Sequence, residues 1–175
     1  DNSKELKAAG KALNYPQPTS TPGRPQTNGR AERTVRKVKE GTRCQLLQAN
    51  LPHQLWPLAP RHFCFMARFE KGVDNETPWK RRFGSKAFKG LRLPFGAQIS
   101  FMPTPQQLKL QPTMAPRAVK GVILGYHLQP GGVFSGDYYC AQIPETKDEK
   151  EFCRQLYVQR TKEVWFDKSK GYVFP

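Results

Sequence analysis

Pro16, Pro18, Pro22 and Pro25, with Gly23 between them, crowd into ten residues and forbid regular structure until about residue 28. Before that break, "SKELKAAGKAL" alternates charged and small apolar residues and predicts a short helix within residues 1–13. After it, Asn28-Gly29 is a turn or helix-entry signal. The chain from Ala31 to about Gln48 then predicts a helix, which Asn50-Leu51-Pro52 stops. A second helical stretch is expected from about Gln54 to Phe69, with Pro57 and Pro60 tolerable only in its first turn. Leu55, Trp56, Leu58, Phe63, Phe65, Met66 and Phe69 give it a core face first, and a stacking surface only second.

Beyond Pro94 the character changes. Short β-prone runs ("AQISFM", "KGVILGYHL", "DYYCAQI", "LYVQRTKEVWF") are separated by Pro, Gly and charged breaks, the pattern of a small antiparallel β module. Between helices and strands lies a basic connector, residues 72–92, in which Lys80, Arg81, Arg82, Lys86, Lys89 and Arg92 stand beside Trp79, Phe83 and Phe88. It reads either as an arm that stacks bases and contacts phosphates, or as a linker whose aromatics tuck against the β module. Pro78, Gly84 and Gly90 argue against one rigid surface. There is no internal repeat or heptad pattern.

Charge narrows the partners. Twenty-nine Lys and Arg against 14 Asp and Glu give +15, and the isoelectric point is near 9.9. Such a balance points to a polyanion, nucleic acid first, with a merely solubilising surface as the bland alternative. No apolar run is long enough to span a membrane, so no membrane partner is expected. The opening "DNSKEL" has neither an initiator Met nor an apolar targeting core, which makes a piece of a longer polypeptide the expectation. Cys44, Cys64, Cys140 and Cys153 are scattered, as are His53, His62 and His127, so no zinc site is expected. Each cysteine reads as a small buried hydrophobe, and free thiols fit a reducing intracellular compartment.

The segment "STPGRPQTNGRAERTVRKVKEGTR" sets two acids, Glu32 and Glu40, among seven Arg and Lys. At about 100° per residue, Glu32, Arg36, Lys39 and Arg43 fall within about 60° of one another, one acid ahead of three cations. Ala31, Val35, Val38 and Leu46 lie roughly a quarter-turn away and are expected to bury against a core. The cations suit a nucleic-acid backbone, where each neutralises a phosphate and releases counterions. Among them a carboxylate repels phosphate unless a divalent metal bridges the two. Equally, an acid in a first turn complements the helix dipole, with a solvated basic face behind it. Spacing alone does not decide.

"TPGRPQTNGRAER", followed by a basic helix and "LPHQLWPLAP", resembles the integrase core of copia-type retrotransposons and their retroviral relatives. The resemblance implies that Glu32 is the last acid of an Asp–Asp–Glu triad binding catalytic Mg2+ or Mn2+. "DNSKEL" looks like the segment opening with the middle acid, which places that role on Asp1. The spacer from Asp1 to Glu32 holds 30 residues, shorter than the family usually shows, and Ser3 stands where glycine is common. In that family two metals held by carboxylates activate a water or a DNA 3′ hydroxyl and stabilise the leaving oxygen. Asn28, Arg33, Arg36, Lys37, Lys39 and Arg43 then become the candidate DNA contacts. Arg36 and Lys39 fall where the family's DNA-contacting helix residues sit, and Asn28 matches a loop residue that positions DNA.

The tail agrees. "PFGAQISFM", Lys120 to Tyr126 and Val164 to Asp167 resemble strands of the small β-barrel that follows this core in copia-type polyproteins. "TPWKRRFG" looks like another family step, with Lys80 where an acid is frequent. The implied architecture is α+β, a truncated ribonuclease-H-like integrase core followed by a small all-β barrel. Its expected divisions are residues 1–71, a connector at 72–93 and the barrel at 94–175. The implied parent joins element ends to target DNA, is a homo-oligomer and acts in the nucleus. This chain alone, lacking the first triad Asp, is expected to be inactive. Two other readings compete: a non-enzymatic basic nucleic-acid-binding domain, and a β module that serves protein contacts.

Overall fold

Helix-entry chemistry and β-branched runs divide the chain into eleven elements in a computed structural model, which describes residues 4–15, 28–72, 74–144, 146 and 148–175. The helices are α1 (Lys4–Ala12), α2 (Gly29–Gln48), α3 (Ala59–Met66), α4 (Pro78–Phe83), α5 (Pro105–Lys109) and α6 (Glu149–Gln155). The strands are β1 (Gln98–Phe101), β2 (Val119–Gln129), β3 (Val133–Ala141), β4 (Val158–Thr161) and β5 (Val164–Trp165). The class is α+β. The chain packs as two units, Asp1–Lys39 and Glu40–Pro175.

In the first unit α1 buries none of its residues, and Leu6, Leu13 and Tyr15 stay exposed. Ala31 and Val35 are exposed as well, and Val38 is only half-buried, contrary to the expectation that they meet a core. Among its described residues this unit has too few large apolar side chains to enclose them. Leu46, in the second unit, is buried as expected.

The second unit is built on an antiparallel sheet in the order β4-β3-β2-β1-β5. Its centre is β2, whose run Gly121 to Tyr126 is buried throughout. Both faces of that strand are covered, which is why its apolar run is continuous rather than alternating. Val122 and Leu124 face a cluster with Leu46, Leu51, Leu55, Ala59, Ala141 and Phe152. Ile123 faces the other way, with Phe65, Ile99, Phe101 and Cys140. A register shift between Ile123 and Gly125 changes the parity, so Tyr126 falls on the Ile123 side, opposite Tyr138.

Gly121 is where strand spacing leaves no room. A Cβ there would lie 2.3 Å from the Ala141 carbonyl oxygen and 2.5 Å from the Phe101 ring. Because the first of these is backbone, the clash cannot be relieved by a rotamer change. Gly121→Ala is therefore expected to cost about 2 kcal/mol, read as a lower urea midpoint. A wild-type midpoint would contradict this strand packing.

The helices end where local chemistry dictates. Asn50 takes a left-handed φ of 49°, and the Leu51 amide reaches back to the Leu46 carbonyl, closing α2. Pro60 sits in the first turn of α3, where a missing N–H costs nothing. The expected helix 54–69 is thereby shortened: residues 53–55 and 67–69 are 3-10 turns flanking α3. Ala59, His62 and Phe65, spaced by three, make the buried face of α3, while Trp56 is 60% exposed rather than in the core.

The second unit gathers residues from both sides of the expected divisions at 71/72 and 93/94. Leu55 and Phe65 share cores with the strands, and the connector is laced to them by two tyrosines. The Tyr126 hydroxyl accepts from the Leu93 amide at 2.9 Å and donates to the Leu91 carbonyl at 3.0 Å. The Tyr138 hydroxyl accepts from the Leu91 amide at 2.7 Å. Phe88 lies 5.0 Å from Phe134, and Trp79 stacks on Phe69 at 5.1 Å. Of the connector aromatics, Phe88 tucks against the β module, whereas Trp79 packs on Phe65 and Phe69 and Phe83 on Trp79.

Candidate nucleic-acid interface

Residues 29–39 of α2 carry Arg30, Arg33, Arg36, Lys37 and Lys39 against one acid, Glu32. All six of those charged side chains are exposed, and so is Asn28, just ahead of the helix. Glu32 lies in the first turn, with Arg36 and Lys39 following at i+4 and i+7 on the same face. The Arg33 guanidinium is drawn back onto the helix, its Nε donating to the Gly29 carbonyl at 3.2 Å. Arg43, the remaining candidate, is exposed in the second unit. Asp1 lies outside the described residues.

Like charges crowd the start of this helix. Arg30 and Arg33 sit at the positive end of the macrodipole, where cations are disfavoured by a few tenths of a kcal/mol each. Arg33 and Lys37, and Arg36 and Lys39, are like-charged neighbours at helical spacing, each pair costing about 0.2–0.5 kcal/mol. Only Glu32 complements the dipole. A polyanion laid along the exposed row relieves every one of these penalties at once.

Cations in the connector are spent differently. Lys80 pairs with Glu76 at 3.0 Å, and Arg81 pairs with Asp74, so neither is a free phosphate ligand. That pairing holds the Asp74 carboxyl below the usual carboxylate range, chiefly through the Arg81 hydrogen bond. Arg68 and Arg92 lie over the rings of Phe65 and Phe69 at 5.7 and 5.6 Å. Lys80, which stands where the resembled family frequently has an acid, is thus spent on an acid four residues before it.

Metal chemistry needs several oxygen donors converging on one ion. Among the described residues no group of three or more His, Cys, Asp or Glu is gathered to hold one. The donor set for a divalent ion is not assembled there. Of the described cysteines, Cys140 is buried, which pushes its thiol up to about 12, whereas Cys44 and Cys64 are exposed, against the expectation for both. Among the described residues no helix is long and apolar enough to cross a membrane.

The sheet carries a polar group that sequence reasoning missed. Buried Asp137 accepts from Ser135 at 2.7 Å and faces Arg160 at 3.6 Å. Arg160 in turn reaches His127 Nε2 at 3.0 Å, and His127 Nδ1 meets the Tyr139 hydroxyl at 2.7 Å. Because guanidinium only donates, Nε2 is the acceptor and Nδ1 carries the proton. The Ser-x-Asp alternation on one strand was its only sequence signal.

No protein-family model, no curated protein and no solved structure matches this chain.

Proposed function

We propose that this chain is part of an integrase resembling those of copia-type retrotransposons, the end of a ribonuclease-H-like core followed by a small barrel. The parent joins DNA by metal-dependent phosphoryl transfer, and this segment contributes Glu32 and a DNA-binding helix. The observation that carries the reading is the exposed row of cations behind Glu32 on α2. The "TPGRPQTNGRAER" motif supports it by resembling the stretch that leads into the DNA-tracking helix of such enzymes. The return of β5 to pair with β1 supports the barrel, since a strand crossing back to the β1 edge of the β1–β4 meander is the connectivity that lets such a sheet curl toward closure.

In the parent integrase, Glu32→Gln is expected to abolish DNA joining in Mg2+ or Mn2+ while duplex binding stays intact or tightens. Arg36→Ala with Lys39→Ala should weaken duplex binding and flatten its slope against log salt by about two. Retained joining in the glutamine variant would remove Glu32 from the chemistry.

A second reading draws on the place of Glu32 in the first turn of α2, where a carboxylate stabilises a helix with no catalytic role. The chain is then a non-enzymatic nucleic-acid binder. Under it the glutamine variant changes neither joining nor metal dependence, and only the Arg36/Lys39 effect survives.

A further inference from the structure

A cavity of about 1050 Å3 opens in the second unit between α4, the loop that follows it, and β3. Its walls are aromatic. Trp79 and Phe83 lie 4.3 Å apart and Phe88 and Phe134 5.0 Å apart, and all four rings are half-buried, backed by the core and open toward the cavity. Its rim is cationic. Lys86, Lys89 and Lys162 line it, exposed, and among the described residues no Asp or Glu does. Neighbouring cations are already engaged, Lys80 by Glu76 and Arg81 by Asp74, whereas no hydrogen bond or ion pair among the described residues holds these three ammonium groups.

We propose that this cavity binds single-stranded nucleic acid, a base lying on the Trp79/Phe83/Phe88/Phe134 rings and the flanking phosphates meeting Lys86, Lys89 and Lys162. Flat π faces and mobile point cations side by side match one ligand chemistry, an aromatic ring tied to a phosphodiester. Pockets for drug-sized ligands run to about 1,000 Å3, so a base and its sugar–phosphate neighbours fit. A duplex keeps its bases stacked on each other and cannot offer a face to these rings, so the strand must be single. An acidic peptide satisfies the lysines but leaves the aromatic floor without a partner. The site uses neither Glu32 nor α2, so it goes beyond the integrase reading and stands or falls separately from it.

The test uses the full chain and a fluorescein-labelled 15-nucleotide oligothymidylate, with anisotropy followed against salt. Lys86→Gln/Lys89→Gln/Lys162→Gln should weaken binding about tenfold and lower the salt slope by about two. These lysines are exposed, so the variant keeps its fold, checked by circular dichroism. Phe83→Ala should weaken binding at least fivefold with the salt slope unchanged, the mark of lost stacking rather than lost charge. Both effects should persist in an Arg36→Ala/Lys39→Ala background, where duplex binding has already fallen. Unaltered oligothymidylate affinity in the triple lysine variant overturns the proposal. So does a Glu/Tyr-rich peptide whose binding needs those lysines while the oligonucleotide ignores them, which would assign the cavity to a protein.

Discussion

Phe65→Ala should destabilise the second unit by about 3–5 kcal/mol, seen as a thermal midpoint lower by more than 10 °C, at roughly 4 °C per kcal/mol. The ring is 2% exposed and stacks on Tyr126 with centroids 4.1 Å apart. Phe69, Phe88, Trp79 and Phe134 surround it at 5.4 to 6.5 Å. Truncation removes both the buried area and a set of edge and stacked ring contacts worth about 0.5–1.5 kcal/mol each beyond area. It leaves a hole that α3, pinned by Ala59 and His62 on the same face, cannot close by sliding. Phe65→Leu, which keeps most of the volume, should lose far less. The two variants separate packing from mere hydrophobicity. A loss under about 1 kcal/mol for alanine would mean that α3 does not hold the sheet this way.

That residue also shows what could be read from the chain beforehand. The alternation and turn signals after Pro94 located β1, β2 and β3 to within about four residues, because strand existence is a local property, but ran β4 and β5 together as one stretch. Phe65 stood out as a core candidate for the same reason. Its partners did not, since Tyr126 and Phe134 come from strands about sixty residues on, and a register shift near Gly125 decides which way Tyr126 faces. Three short helices went unread although their caps are explicit. Thr77-Pro78 opens α4 with Thr77 accepting from the Lys80 amide, and Gly84 follows its end. Thr104-Pro105 opens α5 with a capping box, and Asp148 caps α6 in the charged stretch between β3 and β4. Basic composition masked the first and charge density the last.

The candidate interface divides along the same line. The exposed row on α2 was legible because helical periodicity fixes which side chains share a face. Its failed part, the burial of Ala31 and Val35, needed a tertiary partner that periodicity cannot supply. The aromatic–lysine cavity was half legible: residues 79–90 announced rings and cations together, but Lys162 and Phe134 join them only through the sheet. Both parts bear on function in the same way. Exposed cations cluster in both, along α2 and at the rim of the cavity.

Acid should weaken the second unit through His62, which is 1% exposed. Its Nε2–H donates to the Leu93 carbonyl at 3.0 Å, and Nδ1 accepts from the Gln45 amide at 3.2 Å. Phe95 and Tyr126 enclose the ring at 5.6 and 5.5 Å, and neither polar partner is an acid. Burial therefore dominates and lowers the pKa from 6.5 to about 4, against a smaller opposing effect of the Leu93 bond. A folded-state value below the unfolded one means that the neutral ring is the stabilising form. Its contribution is complete above about pH 6.5 and is lost as pH falls toward 4, amounting to about 3 kcal/mol. Below that both states are protonated and the loss stops. Gln45 offers partial relief, because its buried Oε1 has no hydrogen-bond partner and a turned amide would accept the new Nδ1–H. Urea midpoints measured from pH 7.5 to 4 should fall through that window, more steeply in Gln45→Met, and the fall should vanish in His62→Leu. A fall that persists unchanged in the leucine variant would place the acid sensitivity elsewhere, and would mean that His62 does not tie α3 to the connector as a neutral ring.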